Sequence, residues 1–315
     1  MISEDEIVSA LQPSSFGFIG DDAAVLPSEK SDTNYVVTKD LLVQDLHFRI
    51  KYFTPQDLAH KALHVNLSDL AAMGAKPLYA LCGISIPDDL QDYSVKFLDY
   101  LTLACKKAGV VLIGGDTTAS KAKLFISITA IGSATKNCIK TRSAAKVDDI
   151  ICIAGNLGFA HTGLTALEKG FKTDEQYIKS FLRPTAKTKE GIWLRKKDCI
   201  TSMMDISDGL YVDLKRLCKA SNKGAILNIE LLKNCLEPKI SVKTALEGGE
   251  DYGLLFTTNP QLLDKLSKEF LKDFGYNLKV VGRIHDKKEI SFKDNGQTLD
   301  MSVNPFLHFK NEYRD

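Results

Sequence analysis

The chain has 315 residues, 44% of them apolar and 26% charged. These are the proportions of a soluble globular protein and exclude a disordered chain. Its 41 basic and 40 acidic side chains nearly cancel, so no long-range field draws it to nucleic acid or to an acidic membrane, and any polyanionic ligand must be held locally.

No apolar run approaches the ~18 residues of a membrane span. The start, Met1-Ile2-Ser3-Glu4-Asp5-Glu6, is acidic where a secretory leader is basic and then apolar. A cytoplasmic chain with no membrane or nucleic-acid partner is therefore expected. The length suits two domains, each able to bury a core.

In chain order, the first half alternates strand-like segments at 35–38, 78–86, 110–113 and 124–131 with helices at 55–73 and 93–108, an α/β pattern. The first helix is the best punctuated: Thr54 as N-cap, Pro55 at the first helical position, Asp57 near the positive end and Gly74 as the stop. Gly109 ends the second. From 132 to 143 the chain is polar and basic, an expected interdomain connection, which places the division at 1–137 and 138–315. The second half resumes with a strand at 150–154, helices near 161–169 and 209–220, and strands near 225–229 and 253–257. No repeat of fixed period and no low-complexity tract is visible.

The seven cysteines are widely spaced and form no C-x-x-C pair. They are expected as separate thiols, outside any disulfide framework or metal site.

Five segments share one layout, an apolar run or glycine turn that ends in aspartate: Ile19-Gly20-Asp21-Asp22, Val37-Thr38-Lys39-Asp40, Ile113-Gly114-Gly115-Asp116, Met204-Asp205-Ile206-Ser207-Asp208 and Gly248-Gly249-Glu250-Asp251. One aspartate after a strand is usually a turn former or helix cap. Five such segments point to a crevice where strand ends meet. Clustered carboxylates repel unless cations lie between them, and Mg²⁺ takes one or two carboxylates plus phosphate oxygens. The glycine pairs either turn backbone amides toward phosphate or make plain tight turns. No G-x-x-x-x-G-K-[ST], G-x-G-x-x-G or G-x-S-x-G motif occurs.

On the 55–73 helix, Asn66 and Asp69 share a face with one another and interrupt an apolar series. His60 and His64 have zinc-helix spacing, but Lys61 replaces the glutamate of H-E-x-x-H, so a solvated face is expected. Arg142 offers a fork of donors suited to a phosphate. His47, taken alone, is expected to be structural.

Together these residues resemble the thiamine-monophosphate kinase family, in the superfamily of aminoimidazole ribonucleotide synthetase. The matching strings are IGDDAAVL at 19–26, KALHVNLSDLAAMGAKP at 61–77, IGGDTT at 113–118, DISDGL at 205–210 and GGEDYGLLF at 248–256. The resemblance implies a two-domain α/β fold: an amino-terminal domain that binds ATP and Mg²⁺ and pairs into a dimer barrel, and a carboxy-terminal α/β domain covering the cleft. It implies several Mg²⁺ ions held by Asp22, Thr38, Lys39, Asp40, Asp69, Asp116, Asp205 and Asp208, and ATP contacts from Gly115, Asp116, Arg142 and Ser207. His47, Glu250 and Phe306 match positions that hold thiamine monophosphate, while Asp116, Arg142 and Asp208 carry catalysis.

The implied reaction is in-line transfer from ATP to an acceptor that is already an ionised phosphate, so a general base has little to do. Three departures stand out. Lys39 occupies the middle of a Ser-Thr-Asp pattern and would meet a metal only through its backbone. Phe306 stands where Tyr or Trp is also seen, and Gly253 replaces a glutamate. Alternatives are another ATP-dependent reaction of the superfamily and a nucleotide-binding regulator without turnover.

Overall fold

A computed structural model describes residues 18–29 and 31–304 together with Glu6 and Ala10. The first half forms a five-stranded sheet in the order β1-β2-β5-β3-β4, from β1 (Ala24–Leu26), β2 (Thr33–Val43), β3 (Lys76–Pro87), β4 (Val111–Ser120) and β5 (Phe125–Thr135). Its pairs are antiparallel except β3 with β4. Two helices, α1 (Pro55–Ala72) and α2 (Gln91–Ala108), pack on one face. Val36, Leu42, Ala80, Ile84, Ile126 and Ile128 from the sheet share a core with Leu58, Leu63, Leu70, Phe97 and Leu101 from the helices.

The second half forms a seven-stranded mixed sheet in the order β12-β11-β8-β10-β6-β9-β7. Its strands are β6 (Ile150–Ala154), β7 (Ile200–Ile206), β8 (Gly224–Asn228), β9 (Gly253–Thr258), β10 (Lys279–His285), β11 (Ile290–Asp294) and β12 (Gln297–Leu299). Helices α3 (Phe159–Lys169), α4 (Glu175–Leu182), α5 (Thr188–Leu194), α6 (Leu210–Ala220), α7 (Ile229–Cys235), α8 (Val242–Glu247) and α9 (Leu263–Phe274) complete it. Leu210, Leu214 and Leu217 cover one side of the sheet, and Leu194, Leu266 and Phe270 join a separate core on the other. Ala71 and Ala72, at the end of α1, belong to that last core.

The punctuation of α1 is as expected. Thr54 and Asp57 form a reciprocal capping box, Met73 closes the helix, and Gly74 follows at φ +67°. Two expectations are corrected. The Gly114-Gly115-Asp116 segment is not a turn after a short strand, because β4 continues through it to Ser120. Gly115 lies so close to β3 that a Cβ there would stand 1.8 Å from the Cys82 carbonyl oxygen, so the glycine serves strand approach. The polar stretch after 131 begins inside β5, with Thr135 opposite Thr33; the connection starts at Lys136.

All seven cysteines are free. No helix among the described residues is long and apolar enough to cross a membrane.

Candidate active site

Three of the expected aspartates converge. Carboxylate oxygens of Asp22, Asp69 and Asp205 lie within 4.8 Å of one another. Asp22 precedes β1, Asp69 is on the last turns of α1, and Asp205 is the penultimate residue of β7. The cluster therefore draws on both halves of the chain. Local structure fixes each member. Thr38, buried on β2, donates from Oγ1 to Asp69 at 2.5 Å. Ser68, fully buried, donates from Oγ to Asp205 at 2.6 Å. Arg142 grips Asp22 with Nε at 3.2 Å and Nη2 at 2.7 Å, and its backbone N–H donates to Asp21 at 2.7 Å.

The electrostatics are those of a site short of positive charge. Burial, and then the carboxylates of Asp40, Asp205 and Asp22, push Asp69 well above the usual carboxylate range. Burial raises Asp205 in the same way, with Asp22 adding to it. Such groups share their space comfortably when a hard cation lies between them. The donors are all oxygens, so the chemistry of the set fits a divalent cation of the Mg²⁺ type.

Strand alternation divides the remaining candidates. Thr38 and Asp40 are two apart on β2 and so face α1 together; the backbone N–H of Asp40 also donates to Asn66 Oδ1 at 3.1 Å. Lys39, between them, points to the opposite face and donates from Nζ to Ser127 Oγ at 2.5 Å. Asp116 pairs in register with Gly83, which pairs with Ser127. It therefore shares the outward face with Lys39 and is exposed. Within one chain the side chains of Lys39 and Asp116 do not join the cluster, whereas Gly115 is aligned with Cys82 on the inward side.

Asp208 is one turn beyond Asp205 and pairs with Arg216 of α6. Arg216 also holds Asp213, 3.1 Å away. Asp213 itself accepts from the backbone N–H groups of Ser207 and Asp208, both at 3.0 Å, so it shapes the Ser207 turn. Burial, and then Asp208, push Asp213 up to about 7. His47 Nδ1 accepts from the Val43 N–H at 3.0 Å, closing the turn after β2. Glu250, 28% exposed, pairs with Lys61 of α1 at 2.6 Å. Phe306 lies outside the described residues.

The solvated face expected for His60 and His64 is not what forms. Their rings stack at 4.0 Å under the chain between α4 and α5. His60 Nε2 meets the Pro184 carbonyl at 2.8 Å, and His64 Nδ1 accepts from the Ala186 N–H at 3.3 Å. Burial drives His64 down to about 3. Sequence reasoning also passed over Ser68, Lys61 and Arg216. Lys61 did carry a signal: it falls on the helical line Leu58, Lys61, Val65, Ser68, Ala72, all buried.

Known proteins resemble the chain over both of its halves. The model of the AIR synthase related protein, N-terminal domain, matches residues 20–134, and that of the C-terminal domain matches 146–295. The thiamine-monophosphate kinase of Escherichia coli (strain K12) is 35% identical over 303 residues, 92% of this chain and 91% of the relative. That of Buchnera aphidicola subsp. Acyrthosiphon pisum is 33% identical over 92% of each chain. Among solved structures, AaThiL complexed with AMPPCP and TMP superposes with a TM-score of 0.81 at 26% identity, covering 98% of this chain and 97% of that one. Thiamine-monophosphate kinase from Stenotrophomonas maltophilia K279a gives 0.75 at 29% identity over 95% and 98%. With both domains matched in order and relatives alike over nine-tenths of their length, the chain belongs to the thiamine-monophosphate kinase family of AIR synthase related proteins.

Proposed function

We propose that the chain transfers the γ-phosphoryl group of ATP to thiamine monophosphate, releasing ADP and thiamine diphosphate. The observation that carries this is the Asp22, Asp69 and Asp205 cluster, built from both domains beside Arg142. AaThiL, which the fold matches across its length, was solved with AMPPCP and TMP, and this supports ATP as co-substrate and thiamine monophosphate as acceptor.

Asp22, Asp69 and Asp205 would hold Mg²⁺, with Thr38, Asp40 and Asp208 beside them and Lys39 contributing through its backbone at most. When bound, the metal offsets the charge of two phosphate groups that must approach each other. The chain's own groups do the remainder. Arg142, locked on Asp22, keeps a permanent positive charge at the cluster. Gly115 and Ser207 are assigned to ATP, and His47, Glu250 and Phe306 to the acceptor. The acceptor oxygen is already ionised, so no residue need remove a proton from it, and transfer is direct and in line.

A homodimer belongs to the same reading. The sheet face turned away from α1 exposes Tyr35, Leu41, Tyr79, Val111 and Phe125, and β4 leaves one edge unpaired among the described strands. An apolar face beside a free edge is suited to a second copy. Asp116 and Lys39 lie on that face, so their part in the site is assigned to the assembled dimer. A cytoplasmic location and a domain division at 137/138 complete the proposal; no strand of either sheet crosses that division.

The test is direct: purified protein, ATP, Mg²⁺ and thiamine monophosphate, with the products weighed by mass spectrometry. ADP and thiamine diphosphate in equal amounts are expected. If neither forms while ATP binding is intact, the assignment fails.

A further inference from the structure

Lys61 is 1% exposed, and its ammonium is satisfied entirely inside the protein. Nζ lies 2.6 Å from Glu250 Oε1, 3.4 Å from the Phe181 carbonyl oxygen, and over the rings of Phe181 at 4.2 Å and Phe53 at 5.3 Å. Lys61 belongs to the amino-terminal domain; Glu250 and Phe181 belong to the carboxy-terminal one. Burying an ammonium is costly unless it is paired: burial pushes Lys61 below the ordinary lysine range, and the Glu250 carboxylate, reaching it from the other domain, acts against that.

Glu250 is held just as tightly. It has φ +68° and Tyr252 has φ +49°, a conformation that side-chain-bearing residues adopt only when their surroundings impose it. The surroundings are clear: Glu250 N–H donates to the Ser207 carbonyl at 2.7 Å and Tyr252 N–H to the Ile206 carbonyl at 2.8 Å. Between them, Asp251 turns inward and accepts from Gly158 and Ala160 at the start of α3. The Glu250 carboxylate is left at the interdomain boundary with one oxygen committed to Lys61 and 28% of its side-chain surface open.

We propose that Lys61 is a positioning residue for the acceptor site: it fixes the Glu250 carboxylate as a charge-neutralised hydrogen-bond acceptor rather than a counter-ion. The inference rests on the assignment of Glu250 to the acceptor, made above. The two charges cancel at 2.6 Å, so little net field reaches a cationic ring from this pair. What Glu250 still offers is a fixed lone-pair direction, suited to an amino group on a heteroaromatic ring such as the aminopyrimidine of thiamine. Recognition there is by geometry, and removing the lysine costs orientation.

The experiment compares K61M, K61R, E250A and the double variants in steady-state kinetics. K61M is expected to raise the acceptor KM about ten-fold, with ATP KM and kcat within about two-fold of the wild type. K61R keeps the charge and should recover most of that loss. K61M/E250Q, an uncharged pair that still presents an acceptor oxygen, should bind the acceptor better than K61M alone.

An acceptor KM that is unchanged or lowered in K61M overturns the proposal, because an uncompensated carboxylate would tighten binding if charge were what holds the ring. If E250A too leaves the acceptor KM unchanged, the placement of Glu250 at the acceptor is what fails. If E250A raises it and K61M does not, only the role of Lys61 fails. Should K61M not fold, melting temperatures decide. E250A strands a buried ammonium and is expected to melt lower, while K61M/E250A regains most of the loss. No regain overturns the pairing.

Discussion

Arg142 holds Asp22 through both Nε and Nη2, with the Asp22 side chain wholly buried and the arginine 19% exposed. The fork brings the connection between the domains onto the first acid of the cluster. Truncation in R142A leaves a buried carboxylate unpaired, at a cost of about 3 kcal/mol or more. It also removes the permanent cation from the site, so kcat/KM should fall by about 100-fold or more. R142K keeps charge without the planar fork and should recover little. Urea unfolding and initial rates, measured side by side, separate the two effects.

In the absence of metal, the cluster works against folding. D205N removes one of three crowded carboxylates while keeping an acceptor for the Ser68 hydroxyl. In EDTA the variant should be more stable than the parent, by about 1 kcal/mol. Added Mg²⁺ should raise the melting temperature of the parent far more than that of the variant, and turnover should be lost. A variant that melts lower than the parent in EDTA would argue that the cluster is not strained.

His64 links stability to acid. Its pKa is about 3 in the folded protein against an ordinary 6.5. The unfolded chain thus binds the extra proton first as pH falls. The stabilisation is complete above about pH 6.5 and is lost progressively toward pH 3. H64N, whose Oδ1 can take the place of Nδ1 as acceptor for the Ala186 N–H, should flatten that slope in denaturation midpoints measured between pH 7 and 4.

Gly191 lets α5 lie directly on α1. A Cβ at this position would stand 2.2 Å from the Ala71 carbonyl oxygen, with backbone rather than a movable side chain in the way. G191A should cost about 2 kcal/mol or more. Because Ala71 is two residues from Asp69, the metal affinity should weaken with it, read as a higher Mg²⁺ concentration for half-maximal activity.

The outward sheet face gives a prediction on assembly. Leu41 is 58% exposed there. L41K should convert a dimer to a monomer in light scattering while leaving the circular dichroism spectrum unchanged. A wild-type chain that is monomeric at micromolar concentration would remove the homodimer from the proposal.

Local chemistry was the legible part of the sequence. Thr54, Pro55 and Asp57 announce α1 because capping is decided within one turn, and DISD at 205–208 announces an acid whatever strand carries it. What escaped were groups defined by distant partners. Ser68 meets Asp205 across 137 residues of chain, and Lys61 finds its counter-charge at Glu250; the helical line of Lys61 points to burial but not to the partner that burial requires. The outward turn of Asp116 was hidden for another reason. Its glycines suggest a loop, but Gly115 is small so that β3 can approach, and once the segment is strand, alternation sets where the acid points.

Helix α1 touches the second half along its whole length: Asp57 to Arg183, His60 to Pro184, Lys61 to Glu250, His64 to Ala186, Ser68 to Asp205 and Ala71 to Gly191. The two halves therefore cannot be exchanged as modules. A chimera that took its second half from a relative would have to import the matching face of this helix as well, which makes residues 55–72 the natural recombination unit with everything after 138.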